Sequence, residues 1–274
     1  MLSYCLIADQ IVKIADGRID RLLFDFCISE EAVDPARIAC AVHVADDTHM
    51  HGVRALEFSH AVDRLFLYDL DPFGCLAADR DYRHMTVFNY RENRLVETLL
   101  AGIYSALIPT KTLFAHAALI EVPGMGGILF IGDSGVGKTT QAVLWEQHRG
   151  AEIINGDKVF LGLRDDAPGQ ILAYGCPWRG SSPYCVNKRV PLRAVVSLFR
   201  NETPSLRRLN EVESLQAFLP RIFMPGWDVA LTDKVMETFD GMLPLVPVYQ
   251  MSCRPDESAV ELLENALKAE DKGR

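Results

Sequence analysis

The first hundred positions alternate between short apolar runs and polar or turn-forming punctuation. The runs "YCLIADQIVKIA" (4–15), "RLLFDFCI" (21–28), "IACAVHVADD" (38–47), "RALEFSHAVDRLFLYDLD" (54–71) and "HMTVFNY" (84–90) have the composition and partial alternation of half-buried strands. Asp, Gly and Pro separate them. This pattern predicts a smaller, antiparallel, β-rich N-terminal domain over 1–109. A helix is predicted over 92–107, with Leu95, Leu99, Leu100, Ile103 and Leu107 on one face and Pro109 at its end.

From position 110 the pattern changes to an α/β rhythm. "LFAHAALIEV" (113–122) reads as one strand, "PGMGG" as a turn, and "ILFIG" as a second strand that delivers the chain into a glycine-rich loop. A helix follows over 138–148, closed by Gly150 in the left-handed position that ends helices. "AEIINGDKVFLGL" predicts a strand pair, and "ILAYG", "LRAVVSLFR" and "LVPVYQMSC" predict further strands. Helices are predicted over 210–218, where Asn210 and Glu213 suit a capping box, and over 227–238. The last helix begins after Asp256 and turns Val260, Leu263 and Leu267 inward.

Composition narrows the class. The chain has 274 residues, 49% hydrophobic and 24% charged, as an ordinary globular protein does. Its formal net charge of −9 argues against a general nucleic-acid partner. No basic leader and no membrane-length apolar run is read, so a membrane partner is not expected. The cysteines are scattered and form no C-x-x-C pair, which suits free thiols in a cytoplasmic setting. His49 and His51 have no third ligand nearby and read as loop residues.

The chemistry lies in "GDSGVGKTT". Gly132, Asp133, Ser134, Gly135, Val136, Gly137, Lys138, Thr139 and Thr140 fit the phosphate-loop pattern G-x-x-x-x-G-K-[ST]. Such a loop points backbone amides at phosphate oxygens from a helix N-terminus. Lys138 adds a point charge, and Thr139 is the expected Mg²⁺ ligand, so ATP and Mg²⁺ are the cofactors this motif implies. Phosphoryl transfer also needs a carboxylate near the metal and a group that takes the acceptor's proton. Asp157 ends an apolar strand 19 positions after Lys138 and is the best-placed acid. A plain turn aspartate in Asn-Gly-Asp is the alternative.

Taken together, "HAALIEV…GGILFIGDSGVGKTT…GAEIINGDKV" resembles the HPr kinase family and its phosphoenolpyruvate-carboxykinase-like relatives over positions 113–157. That resemblance implies a mixed-sheet α/β P-loop domain over 110–274. It implies that His116 lies near the transferred phosphate and that Asp157 matches the second member of an acidic pair. The first member is missing, because position 156 is glycine, and Thr140 stands where HPr kinases carry glutamate.

Farther on, "GCPWRGSSPYCVNKR" combines small residues with positive charge. Arg179, Gly180 and Ser181 are candidate substrate-binding residues, Arg179 offering a bidentate fork. Trp178 either stacks on a base or anchors the loop. Lys188 and Arg189 add positive charge suited to an acidic substrate. The expected function is ATP- and Mg²⁺-dependent transfer to a serine-type hydroxyl of a protein or peptide, with Lys138, Asp157 and His116 catalytic. A small-molecule kinase and a non-catalytic nucleotide sensor stay open, as does assembly into a homo-oligomer.

Overall fold

The computed structural model describes residues 2–15, 23–45, 64–67, 74–89, 92–201, 204–252 and 255–272. Contacts divide the chain into two compact units, Met1–Thr110 with Pro225–Lys234, and Lys111–Met224 with Val235–Arg274. The return of Pro225–Lys234 to the first unit has no counterpart in the sequence pattern. Among the described residues the fold is mixed α/β, and each unit has one mixed sheet.

In the first unit, β1 (Leu2–Ile7) and β2 (Gln10–Ala15) form a hairpin. Its two turn residues, Ala8 and Asp9, have φ of 49° and 64°, the handedness that two-residue hairpins require. β3 (Cys27–Ile28), β4 (Ile38–Ala45), β5 (Arg64–Leu67), β6 (Gly74–Ala78) and β7 (His84–Asn89) complete the order β3-β1-β2-β4-β7-β6-β5. The sheet is not antiparallel throughout, because β2 pairs with β4, and β4 with β7, in parallel. Parallel neighbours need a long crossover instead of a tight turn. The segment before β4 supplies one, and "RLLFDFCI" therefore yields a 3-10 turn at Phe24–Phe26 and the short β3 instead of a full strand. Helix α1 (Glu92–Leu107) forms over the predicted span and buries Leu99, Leu100, Ile103 and Leu107. A 3-10 turn, Ile108–Thr110, carries Pro109 past its end.

The second unit has a nine-stranded sheet. "LFAHAALIEV" is two strands, β8 (Thr112–His116) and β9 (Ala118–Val122), parted at Ala117. β9 and β10 (Gly126–Ile131) make the expected hairpin. β11 (Glu152–Asn155) pairs with β9, and β12 (Lys158–Leu163) pairs with β8 and with β13 (Ile171–Tyr174). "AEIINGDKVFLGL" thus gives two strands that pair with others and not with each other. β14 (Arg189–Leu198) joins the halves of the sheet. Its start pairs with β13 and its remainder runs parallel to β10 and to β16 (Val248–Ser252). β15 (Ser205–Arg208) edges β16.

Alternate residues of these strands meet one helical layer. Ile120, Phe130, Val196 and Met251 pack with Trp145 of α2 (Lys138–Arg149) and Leu263 of α5 (Glu257–Lys272). Fully burying side chains of this kind contributes about 1.5–3 kcal/mol each. The capping box of α3 (Glu211–Phe218) is present, with Asn210 and Glu213 exchanging bonds of 3.0 Å. α4 (Val229–Met242) follows, and no helix among the described residues is long and apolar enough to cross a membrane.

Candidate active site

The sheet order of the second unit gathers its polar strand ends on one edge. β10 and β14 are parallel, so the loops after Ile131 and Leu198 leave side by side. β9 and β11 run so that Ala118 faces Phe130 and Asn155 faces Leu119. The end of β8 and the start of β12 arrive there too, with His116 opposite Lys158 and Ala117 N–H donating to Asp157 O at 2.9 Å. Ligands of parallel-stranded sheets characteristically sit beyond such carboxyl ends.

The glycine-rich loop closes against this edge. Gly132 has φ 142°, and a Cβ there would lie 2.8 Å from Leu198 O. Gly137 caps α2 with φ 117° and no side-chain cap bond, so the first-turn amides have no intrahelical partner and are the kind of donors that anions take. Lys138 is buried, and its Nζ donates to Gly132 O at 3.1 Å and Asp133 O at 3.2 Å. The ammonium thus lies inside the loop, and burial lowers its pKa, with Arg221 adding to the effect and Asp157 opposing it. Thr139 and Thr140 are exposed on the first turn of α2. Beside them a cavity of about 600 Å³ is bounded by Gly135, Thr140, Gln141 and Arg200.

Asn155 builds the acidic corner. It is fully buried, with its Nδ2 donating to Cys176 O at 2.8 Å and its Oδ1 accepting the amides of Asp157 at 2.9 Å and Lys158 at 3.0 Å. These bonds fix the turn that presents Asp157. Its Oδ1 lies 3.3 Å from His116 Nδ1, and its Oδ2 accepts from Lys158 Nζ. Burial holds the His116 pKa below its ordinary value, Lys138, Lys158 and Arg221 push the same way, and Asp157 pulls against them. This balance favours the neutral form of the imidazole.

Two features explain the glycines around Asp157. A Cβ on Gly180, whose φ is 57°, would lie 2.5 Å from Asp157 Oδ2, so this loop reaches the carboxylate only as glycine. A Cβ on Gly156 would lie 2.2 Å from Ser182 Oγ. A serine thus fills the space of the missing acid.

Lys138, Asp157, His116 and Gly180 come together at this edge, and the remaining candidates are placed less centrally. The exposed Arg179 turns its Nη1 to Pro183 O in its own loop at 3.1 Å, and Ser181 is exposed. Trp178 is buried at 3% exposure and anchors the loop. Lys188 is tied to Glu121 and Glu152, and Arg189 to Asp166 in the turn after β12, so their charges are matched by acids of the chain itself. His49 and His51 lie outside the described residues. Cys5, Cys27, Cys40, Cys176 and Cys185 are free thiols. Among the described residues no three His, Cys, Asp or Glu side chains cluster as a metal cage.

Sequence reasoning missed two arginines. Arg221 sits in a 3-10 turn, Leu219–Arg221, pinned to β8 by an Ala115–Ile222 bridge and by Phe223 N–H donating to Phe114 O at 2.8 Å. Its Nη2 lies 2.7 Å from Asp133 Oδ1. Arg200 donates to Gly135 O at 2.8 Å. Neither belongs to a motif; only the parallel run of β10 and β14, and the docking of residues 222–223 on β8, bring them in.

No family model matches the sequence. Over 141 residues it is 26% identical to the HPr kinase/phosphorylase of Mycoplasmopsis pulmonis (strain UAB CTIP), covering 50% of this chain and 42% of that protein. The chain resembles the HPr kinase-like family. It spans less than half the length of that curated relative. The HPr(Ser) kinase/phosphatase structure from Coxiella burnetii aligns over 57% of this chain and 98% of its own, at 15% identity and a TM-score of 0.33. So loose a superposition bears on no site residue.

Proposed function

We propose that the second unit is a P-loop, phosphoenolpyruvate-carboxykinase-like domain and that the protein is an HPr-kinase-like phosphotransferase. On this reading residues 110–274, apart from the Pro225–Lys234 stretch that packs with the first unit, form the nucleotide-binding domain, and 1–109 a separate β-rich domain. The enzyme transfers the γ-phosphoryl group of ATP to a serine-type hydroxyl of a protein or peptide, in the cytoplasm. The observation that carries this reading is the shared sheet edge, where the glycine loop with buried Lys138 lies beside an Asp157–His116 pair at 3.3 Å.

The residues present fit ATP and Mg²⁺. The loop amides and Lys138 suit phosphate oxygens, and the cavity of about 600 Å³ beside Thr140 has room for a nucleoside. Mg²⁺ needs only one or two protein ligands besides phosphates and water, which Thr139 and Asp157 can supply without a larger cage. When bound, it neutralises charge on the transferring group. Lys138, now bonded to two loop carbonyls, would hold phosphate oxygens when a nucleotide is bound. Arg221, now paired with Asp133, stands ready as a second cation. Asp157, oriented by Asn155, orients the acceptor hydroxyl, and the neutral His116 or Asp157 itself takes its proton. Arg179, Gly180 and Ser181, on the loop that touches Asp157, contact the acceptor segment.

A second reading has its own support. Position 156 lacks a carboxylate and Lys158 occupies Asp157 Oδ2, an arrangement suited to a nucleotide sensor without turnover. Calorimetry tests the loop itself. Lys138→Ala should abolish ATP–Mg²⁺ binding, and an unchanged affinity refutes a phosphate-binding role. Asp157→Asn separates enzyme from sensor, since it should keep nucleotide binding and stop phosphoryl transfer.

A further inference from the structure

The first unit contains a cavity of its own, of about 560 Å³, in a size range typical of small-molecule sites. Its wall includes the turn between β6 and β7, "DRDYRH", and the first turns of α4. The turn is held by several hydrogen bonds. Asp79 Oδ1 accepts the Arg83 amide at 2.7 Å, Asp79 Oδ2 lies 2.9 Å from His84 Nδ1, and Tyr82 N–H donates to Asp79 O at 3.1 Å. Tyr82 takes φ 56°, an uncommon conformation for a bulky residue, and is 2% exposed. Its hydroxyl donates to the buried Asp228 at 3.0 Å, and Asp228 Oδ1 caps α4 through the Ala230 amide at 3.0 Å. One hydrogen bond thus fixes the turn against the helix start.

That bond also sets three cations around the cavity, Arg80 and Arg83 flanking the Tyr82 anchor and Lys234 on α4. None of their side-chain charges has an ion-pair or hydrogen-bond partner among the described residues. Two carboxylates also line the cavity, Asp81 and Asp228, the latter held by the Tyr82 hydroxyl and the helix-start amides with its charge intact, so the three cations outnumber the acids by one. In a chain of net charge −9, three cations without a partner among the described residues, set around a cavity by a hydrogen-bonded turn and a helix start, are the chemistry of an anion site. Two guanidinium forks favour planar or tetrahedral oxyanions with more than one charged oxygen.

We propose that this cavity binds a small multivalent oxyanion, carrying phosphoryl or carboxylate groups, independently of the glycine loop. The test uses the full chain with Lys138→Ala, which removes the loop's lysine from competition. Pyrophosphate and citrate are titrated by calorimetry at moderate salt, one probing phosphoryl and the other carboxylate chemistry. Saturable one-site binding of either is expected. Arg80→Ala with Arg83→Ala should weaken it at least about tenfold, the scale of one lost charge-assisted pair. Arg207→Ala with Arg208→Ala, on β15, should leave it unchanged, and far-UV circular dichroism with thermal unfolding shows that each variant folds. Lys234→Ala, a surface change, repeats the test without touching the turn. Absence of saturable binding overturns the proposal, as does binding that survives the Arg80, Arg83 and Lys234 changes together. Binding of an acidic peptide such as polyglutamate, with neither small anion bound, overturns it too and makes the cavity a peptide contact.

Discussion

Replacing Gly132 by alanine adds two costs that the other loop glycines do not combine. The φ of 142° lies in territory that L side chains rarely adopt, worth about 1–3 kcal/mol. The new Cβ would also lie 2.8 Å from Leu198 O and 2.9 Å from Val136 Cγ1. Non-bonded carbons prefer roughly 3.5–4.0 Å, so the Val136 methyl has to retreat by up to about an ångström. The carbonyl cannot swing away as a side-chain tip does, because β14 is held between β10 and β16. Overpacking of this kind adds about 1–3 kcal/mol, for a total of roughly 2–6 kcal/mol. Gly135 and Gly137 have positive φ, but an added methyl would meet nothing within 4 Å, so alanine there costs about 1–3 kcal/mol from backbone strain alone. Urea denaturation of the three single variants measures the difference. Gly132→Ala should unfold at clearly lower urea than the other two and bind nucleotide most weakly. Equal midpoints for all three would refute the close approach of the loop to β14.

Other perturbations read other parts of the site. His116, followed by NMR, should titrate below its ordinary 6.5, moving up in Lys138→Ala and down in Asp157→Asn; the opposite pair of movements contradicts the charge arrangement. Because its folded pKa lies below the unfolded one, its contribution to stability is constant above pH 6.5 and falls as the pH drops from 6.5 towards the folded value. Asn155→Ala leaves the Cys176 carbonyl and two amides without their partner, and should cost about 2–4 kcal/mol of stability by urea denaturation. Arg221→Ala should weaken ATP–Mg²⁺ binding at least severalfold in calorimetry while leaving the unfolding midpoint nearly unchanged; unaltered affinity removes Arg221 from the phosphate site.

Much of this organisation is legible in the amino-acid order, for local reasons. Helix α1 repeats its leucines at helical spacing, and the glycine loop announces itself because left-handed backbone and close approach leave few alternatives to glycine. The Asn210–Glu213 box and the Asp256 start are equally local. What escapes is non-local. Nothing in "IACAVHVADD" tells whether its neighbours run parallel, since either arrangement buries the same alternating face. "LFAHAALIEV" looks continuous because its break at Ala117 interrupts no apolar pattern; the chain merely changes partners there, from β12 to β10 and β11. Arg221 and Arg200 enter the site through tertiary pairing. The glycine at 156 reads as a lost carboxylate in sequence, and only the position of Ser182 shows what fills the space.

The central claim is that this edge moves a phosphoryl group and does more than hold nucleotide. The direct measurement incubates the protein with γ-labelled ATP, Mg²⁺ and a lysate of its native host, beside the Asp157→Asn variant, and identifies what becomes labelled. A labelled protein or peptide, modified on serine, is expected with the wild type and none with Asp157→Asn despite retained ATP binding. Tight ATP binding by the wild type with no labelled acceptor contradicts it and leaves a nucleotide sensor.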